Sequence, residues 1–80
     1  MHVAVELSLY PLTENFIPPI LDFIERLKAR PGLAVDTNSM STQVSGEFEA
    51  VFDALRAEIA LSLSARERAI FVMKVLGGGA

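Results

Sequence analysis

Apolar residues alternate with polar or small ones from His2 to Tyr10, with Val3, Val5, Leu7 and Leu9 on one face and Ala4, Glu6, Ser8 and Tyr10 on the other. A period of two with β-branched residues predicts a strand, and Pro11, which lacks the N–H a ladder needs, is expected to end it. From Glu14 to Arg30 the period changes. Ile17, Ile20, Leu21, Ile24 and Leu27 recur at steps of three and four, which predicts an amphipathic helix with Phe16 and Phe23 bordering its stripe. Thr13 and Asn15 are its candidate caps, Pro18-Pro19 fits only its first turn, Asp22 and Arg26 are spaced to pair, and Pro31-Gly32 stops it. Leu33 to Thr37 and Met40 to Gly46 read as two short strands joined through Thr37, Asn38 and Ser39, residues that suit a turn. On the later strand Met40, Thr42 and Val44 share one face and Ser41, Gln43 and Ser45 the other.

A second helix follows from about Glu47 to Ser62 or Ser64, with Phe48, Val51, Phe52, Leu55, Ile59 and Leu63 as its stripe. Glu47, Glu49, Asp53 and Glu58 read as its solvated face. Arg66 to Arg68 form a polar connection, and Ala69 to Leu76 alternate as a last strand that is apolar on both faces. The order β-α-β-β-α-β predicts an α+β, ferredoxin-like sandwich: a four-stranded antiparallel sheet, spatial order 4-1-3-2, with both helices on one face. Residues 1–76 then form a single domain, and 77–80 a flexible glycine-rich tail. One sheet face is left bare, so self-association as a dimer or tetramer, sheet on sheet, is expected.

Charge and composition narrow the chemistry. The 80 residues carry ten acidic against seven basic side chains, and the basic ones form no stripe. That balance argues against nucleic acid, which needs a concentrated positive field. There is no cysteine, hence no disulfide, thiol nucleophile or thiolate metal site, and the one histidine, His2, leaves little for a metal centre or a general base. Glu6 interrupts the first apolar run, so neither a signal peptide nor a membrane span is expected and a cytoplasmic chain is the default.

The stretch Asp36 to Gly46 concentrates small hydroxyl and amide side chains: Thr37, Asn38, Ser39, Ser41, Thr42, Gln43 and Ser45. Such groups bind neutral polar ligands well and catalyse little by themselves; a solvated hairpin is the plain alternative. No serine has an imidazole and an orienting acid at hand, and no Gly-rich loop opens a helix, so no catalytic residue is assigned. Glu6 has two readings, an ion pair with Lys74 on the neighbouring strand or a charge-assisted bond to an aminopyrimidine. Tyr10 either stacks on a flat ligand or closes the core.

The phrase Val5-Glu6-Leu7-Ser8-Leu9-Tyr10-Pro11-Leu12, then a helix, then Thr37-Asn38-Ser39-Met40-Ser41-Thr42-Gln43-Val44-Ser45-Gly46, and the closing Phe71-Val72-Met73-Lys74, resembles the thiamine- and hydroxymethylpyrimidine-binding family called YkoF-like. The resemblance implies a non-catalytic ferredoxin-like domain that binds thiamine or its pyrimidine precursor as a carrier, scavenger or sensor, with no cofactor. It also implies Ser41 and Thr42 as pocket hydroxyls, Ser8 and Tyr10 as their neighbours, and Asn38 and Glu6 as further contacts. Beyond Glu6 and Asp36 there is no acidic cluster to meet a cationic thiazolium. The rival expectations are an oligomerisation module without a small ligand and a ferredoxin-like dimeric enzyme using Glu6 or Tyr10 as acid or base.

Overall fold

The computed structural model describes residues 1–65 and 68–78. Residues 66 and 67 of the expected 66–68 connection and the tail residues 79 and 80 lie outside the described residues. Six elements follow one another: β1 (His2–Pro11), α1 (Ile17–Lys28), β2 (Ala34–Thr37), β3 (Thr42–Glu47), α2 (Phe48–Leu63) and β4 (Ala69–Gly77). All pairings are antiparallel and the sheet order is β2-β3-β1-β4, the ferredoxin-like βαββαβ arrangement that the element order dictates.

The alternation of β1 settles which face is covered. Val3, Val5, Leu7 and Leu9 are buried under the helices together with Val44 of β3, Phe23 and Leu27 of α1, and Val51, Ala54 and Leu55 of α2. Each of the Val, Leu and Phe side chains contributes roughly 1.5–3 kcal/mol by leaving water, which is how so short a chain sustains a core. The helices lie over β1, β2 and β3, and α1 reaches β4 through Phe23, whose ring is 5.0 Å from that of Phe71. Farther along β4, Met73 and Val75 stay exposed although they pair with the buried Leu7 and Val5.

Several boundaries differ from the expected ones, each for a local reason. Pro11 is the last residue of β1, opposite Ala69, where a missing N–H costs no ladder bond. Gly77 belongs to β4 opposite Val3, not to the tail. Neither Thr13 nor Asn15 caps α1; Phe16 is the capping residue and makes no side-chain bond. A cap side chain accepts from the second or third helical N–H, and Pro18 and Pro19 occupy those positions, so there is no donor to satisfy. The stripe of α1 is also turned: Phe23 is buried, whereas Ile17 and Leu21 are about half exposed, because the Phe23–Phe71 contact draws the helix round.

Gly46 has a positional reason to be glycine. Its φ is +156°, and a Cβ there would stand 3.2 Å from the carbonyl oxygen of Gly32 and 3.5 Å from Val51. β3 therefore passes close to the turn after α1 on its way into α2. A side chain would meet backbone that cannot swing aside, on top of strain worth roughly 1–3 kcal/mol.

Candidate functional site

Three segments converge at one end of the sheet: the last residues of β1 running into Leu12, the first half of α1, and the tip of the β2–β3 hairpin. Between them lies a hollow of about 470 Å³. Its apolar wall comes from Leu7, Leu9, Pro11 and Leu12 and, on α1 and just before it, Phe16, Ile20, Phe23 and Ile24. Its polar side comes from Ser8, Tyr10 and the hairpin residues Thr37 to Thr42. An apolar recess with a few convergent polar groups is the usual form of a small-molecule site.

The hairpin tip is built by Asn38. Its Oδ1 accepts the backbone N–H of Met40 (2.8 Å) and of Ser41 (3.0 Å), while its own N–H donates to the Ser41 carbonyl (3.0 Å). An asparagine that bonds its own backbone two and three residues on is why this composition makes a turn. The two bonds also settle the amide's orientation: Oδ1 is occupied, and among the described residues its NH2 has no partner.

Register decides where the other hydroxyls go. Thr42 stands opposite Leu7 of β1 and Thr37 of β2, so it turns toward the helices, is 6 % exposed, and shares a 2.9 Å hydrogen bond with the Thr37 hydroxyl in which either oxygen can donate. Ser41 precedes it and turns the other way, its hydroxyl donating to Glu6 Oε2 at 3.1 Å. Ser8 donates to the carbonyl of Met40 at 3.2 Å, tying β1 to the hairpin tip. Tyr10 is about half exposed and faces the open side, opposite Ile70.

Five of the six expected residues, Ser8, Tyr10, Asn38, Ser41 and Thr42, thus line one hollow, and Glu6 does not. Glu6 lies on the open face, its Oε1 3.6 Å from Lys74 Nζ of β4. It borders a second, larger groove of about 630 Å³ with Asp36, Gln43, Ser45 and Leu76. The two sets of hydroxyls do not share one sheet face; they meet because the hollow wraps the sheet's end. The apolar wall of α1 was missed in the sequence, although Phe16 followed by Ile20, Phe23 and Ile24 marks one helix face. Thr37, which the sequence places at the strand end and in the turn, joins the site through its pairing with Thr42.

Glu58 is the other departure. Expected on a solvated face, it is 5 % exposed in the seam between α2 and α1. Its Oε1 accepts from Arg26 at 2.7 Å and its Oε2 from Arg30 at 2.8 Å. Arg26 also donates to the Glu58 carbonyl, to Ser62 Oγ and to Asp22. Burial pushes the Glu58 carboxyl up, but the hydrogen bonds from Arg30 and Arg26 outweigh it and hold the group below the ordinary value of 4.5. With no buried polar side-chain atom left unsatisfied among the described residues, this cluster joins the two helices and is no second site.

The fold and the hollow define a small ferredoxin-like domain with a pocket at the sheet's end. Residues 2–75 match the model of the YKOF-related family, and the chain belongs to that family. The fold recurs in solved structures. A hypothetical protein of Methanocaldococcus jannascii is 24 % identical with a TM-score of 0.82, covering 96 % of this chain and 80 % of that one. A Thermotoga maritima protein assigned provisionally to thiamine biosynthesis or salvage is 20 % identical, TM-score 0.72, covering 98 % and 85 %. A domain of unknown function from Bacillus cereus is 15 % identical, TM-score 0.70, covering 98 % and 77 %. No curated protein matches the chain. Among the described residues no helix is long and apolar enough to cross a membrane.

Proposed function

We propose that this protein binds thiamine or its hydroxymethylpyrimidine precursor in the end-of-sheet hollow and does no chemistry on it, acting as a carrier, scavenger or sensor. The observation that carries the proposal is the gathering of Ser8, Tyr10, Asn38, Ser41 and Thr42 around one recess with an apolar wall. Membership of the YKOF-related family supports it. A flat heterocycle placed there has Phe16 and the aliphatic wall for its faces and the hairpin hydroxyls and Asn38 for its edge. An acid–base role for Glu6 is disfavoured by its place on the other face, next to Lys74.

The test is calorimetry with Thr42→Val, which removes one hydroxyl and keeps the shape. A buried hydrogen bond lost from a binding site is worth roughly 1–2 kcal/mol, so affinity should fall about tenfold. Absence of saturable heat from either ligand with the unaltered protein rejects the proposal.

The same proposal pairs the chain with a second copy through the open face, where Tyr10, Ile70, Val72 and Leu76 are each at least half exposed. Closing that face against its twin removes an apolar patch that a monomer would leave in water. Sedimentation should show a dimer or tetramer that Val72→Lys drives toward monomer. A monomer at high concentration refutes the pairing.

A further inference from the structure

We infer that the hollow selects an uncharged ligand: an aminopyrimidine alcohol carrying neither a phosphate nor a permanently cationic ring. This rests on the binding role proposed above and states which member of that ligand class the site takes.

The wall is the first ground. Among the described residues that line the hollow, none is Asp, Glu, Lys, Arg or His. Three nearby charges are paired away from it: Glu6 faces Lys74 on the open face and reaches the hollow only through the Ser41 hydroxyl it accepts from, and Arg26 and Arg30 hold Glu58 in the helix seam. An ion entering a recess walled by Leu, Ile and Phe sheds hydration that a few neutral hydroxyl and amide groups only partly replace, and that costs far more than desolvating a neutral amide or hydroxyl.

The helix terminus is the second ground. The start of α1 borders the hollow through Phe16, and a helix N-terminus ordinarily offers free N–H groups to a phosphate. Here Pro18 and Pro19 take two of the first three helical positions, and proline has no N–H. A helix start that would ordinarily welcome an anion therefore lacks two of its usual donors.

What remains is dipolar and suits a neutral ring. The Asn38 amide offers hydrogens only, since Oδ1 is held by the backbone. The Thr37–Thr42 pair can present either a hydrogen or a lone pair by reversing its shared bond. An aminopyrimidine needs that mixture, with ring nitrogens that accept and an exocyclic amine that donates.

The experiment is calorimetry of the full chain with four probes: hydroxymethylpyrimidine, its phosphate monoester, thiamine and thiamine diphosphate. The neutral pyrimidine should bind at least about tenfold more tightly than thiamine, and neither phosphate ester should saturate, given the desolvation cost of ions. Asn38→Asp keeps the oxygen that accepts from Met40 and Ser41 and adds one negative charge to the wall. It should move the ratio toward thiamine by about tenfold or more. Equal affinity for thiamine and the pyrimidine, saturable binding of a phosphate ester, or an unchanged ratio in Asn38→Asp each overturns the selectivity while leaving the binding role intact. Silence from all four probes overturns both.

Discussion

Phe23→Ala should lower the stability of this protein by about 3–5 kcal/mol, the range for deleting a buried aromatic ring from a core that cannot fully collapse. Phe23 is 2 % exposed and among the largest fully buried side chains. Its ring meets Phe71 at 5.0 Å, the contact through which α1 reaches β4, and the Arg26 guanidinium lies 5.8 Å from its centroid. The loss therefore reaches past apolar area to the seam of the two helices and to the far edge of the sheet. Because Phe23 also lines the hollow, any ligand bound there should lose affinity with it. Urea denaturation measures the first effect. A change under about 1 kcal/mol, below even an Ile-to-Val trim in many cores, would mean that α1 is not anchored where the structure has it.

Glu58→Gln should cost about 2–3 kcal/mol at neutral pH. Removing one partner of a fully buried ion pair costs about 3–5 kcal/mol; Arg26 and Arg30 keep side-chain exposures of 23 % and 36 %, so water relieves part of the loss. The change leaves two guanidinium groups facing one neutral amide. The pH dependence has a definite sign. The folded-state carboxyl titrates below the ordinary value of 4.5, so its contribution is whole above that value and drains away as the pH falls through the folded-state pKa. Thermal melts should accordingly show the unaltered protein losing its advantage over Glu58→Gln in acid. A constant gap between the two from pH 7 down to about pH 3, below the usual carboxylate range, would contradict the ion-pair account.

The strand pattern was legible because β1 is a central strand with one dry face, which forces Val3, Val5, Leu7 and Leu9 into strict alternation. Helix faces were less so. On α1 an aliphatic run including Ile17 and Leu21 competes with Phe23 for the inner side, and only the position of Phe71 on β4 decides between them. Glu58 shows a similar limit: a carboxylate within a helix looks solvated until the arginines of another helix arrive. The residues that line the hollow were legible by type and by segment, but not by face. A one-residue step in register sends a side chain to the opposite side, and nothing local in Ser41-Thr42 says which of them meets Leu7.

The most direct measurement is the two-dimensional amide spectrum of the labelled protein titrated with hydroxymethylpyrimidine. Saturable shifts should gather at the end of β1 from Leu7 to Leu12, along α1 at Phe16, Ile20 and Ile24, and over the hairpin from Thr37 to Thr42. Shifts that spare these segments and gather instead around Glu6, Asp36, Gln43 and Lys74 on the open face, or a spectrum that does not move, would contradict the account.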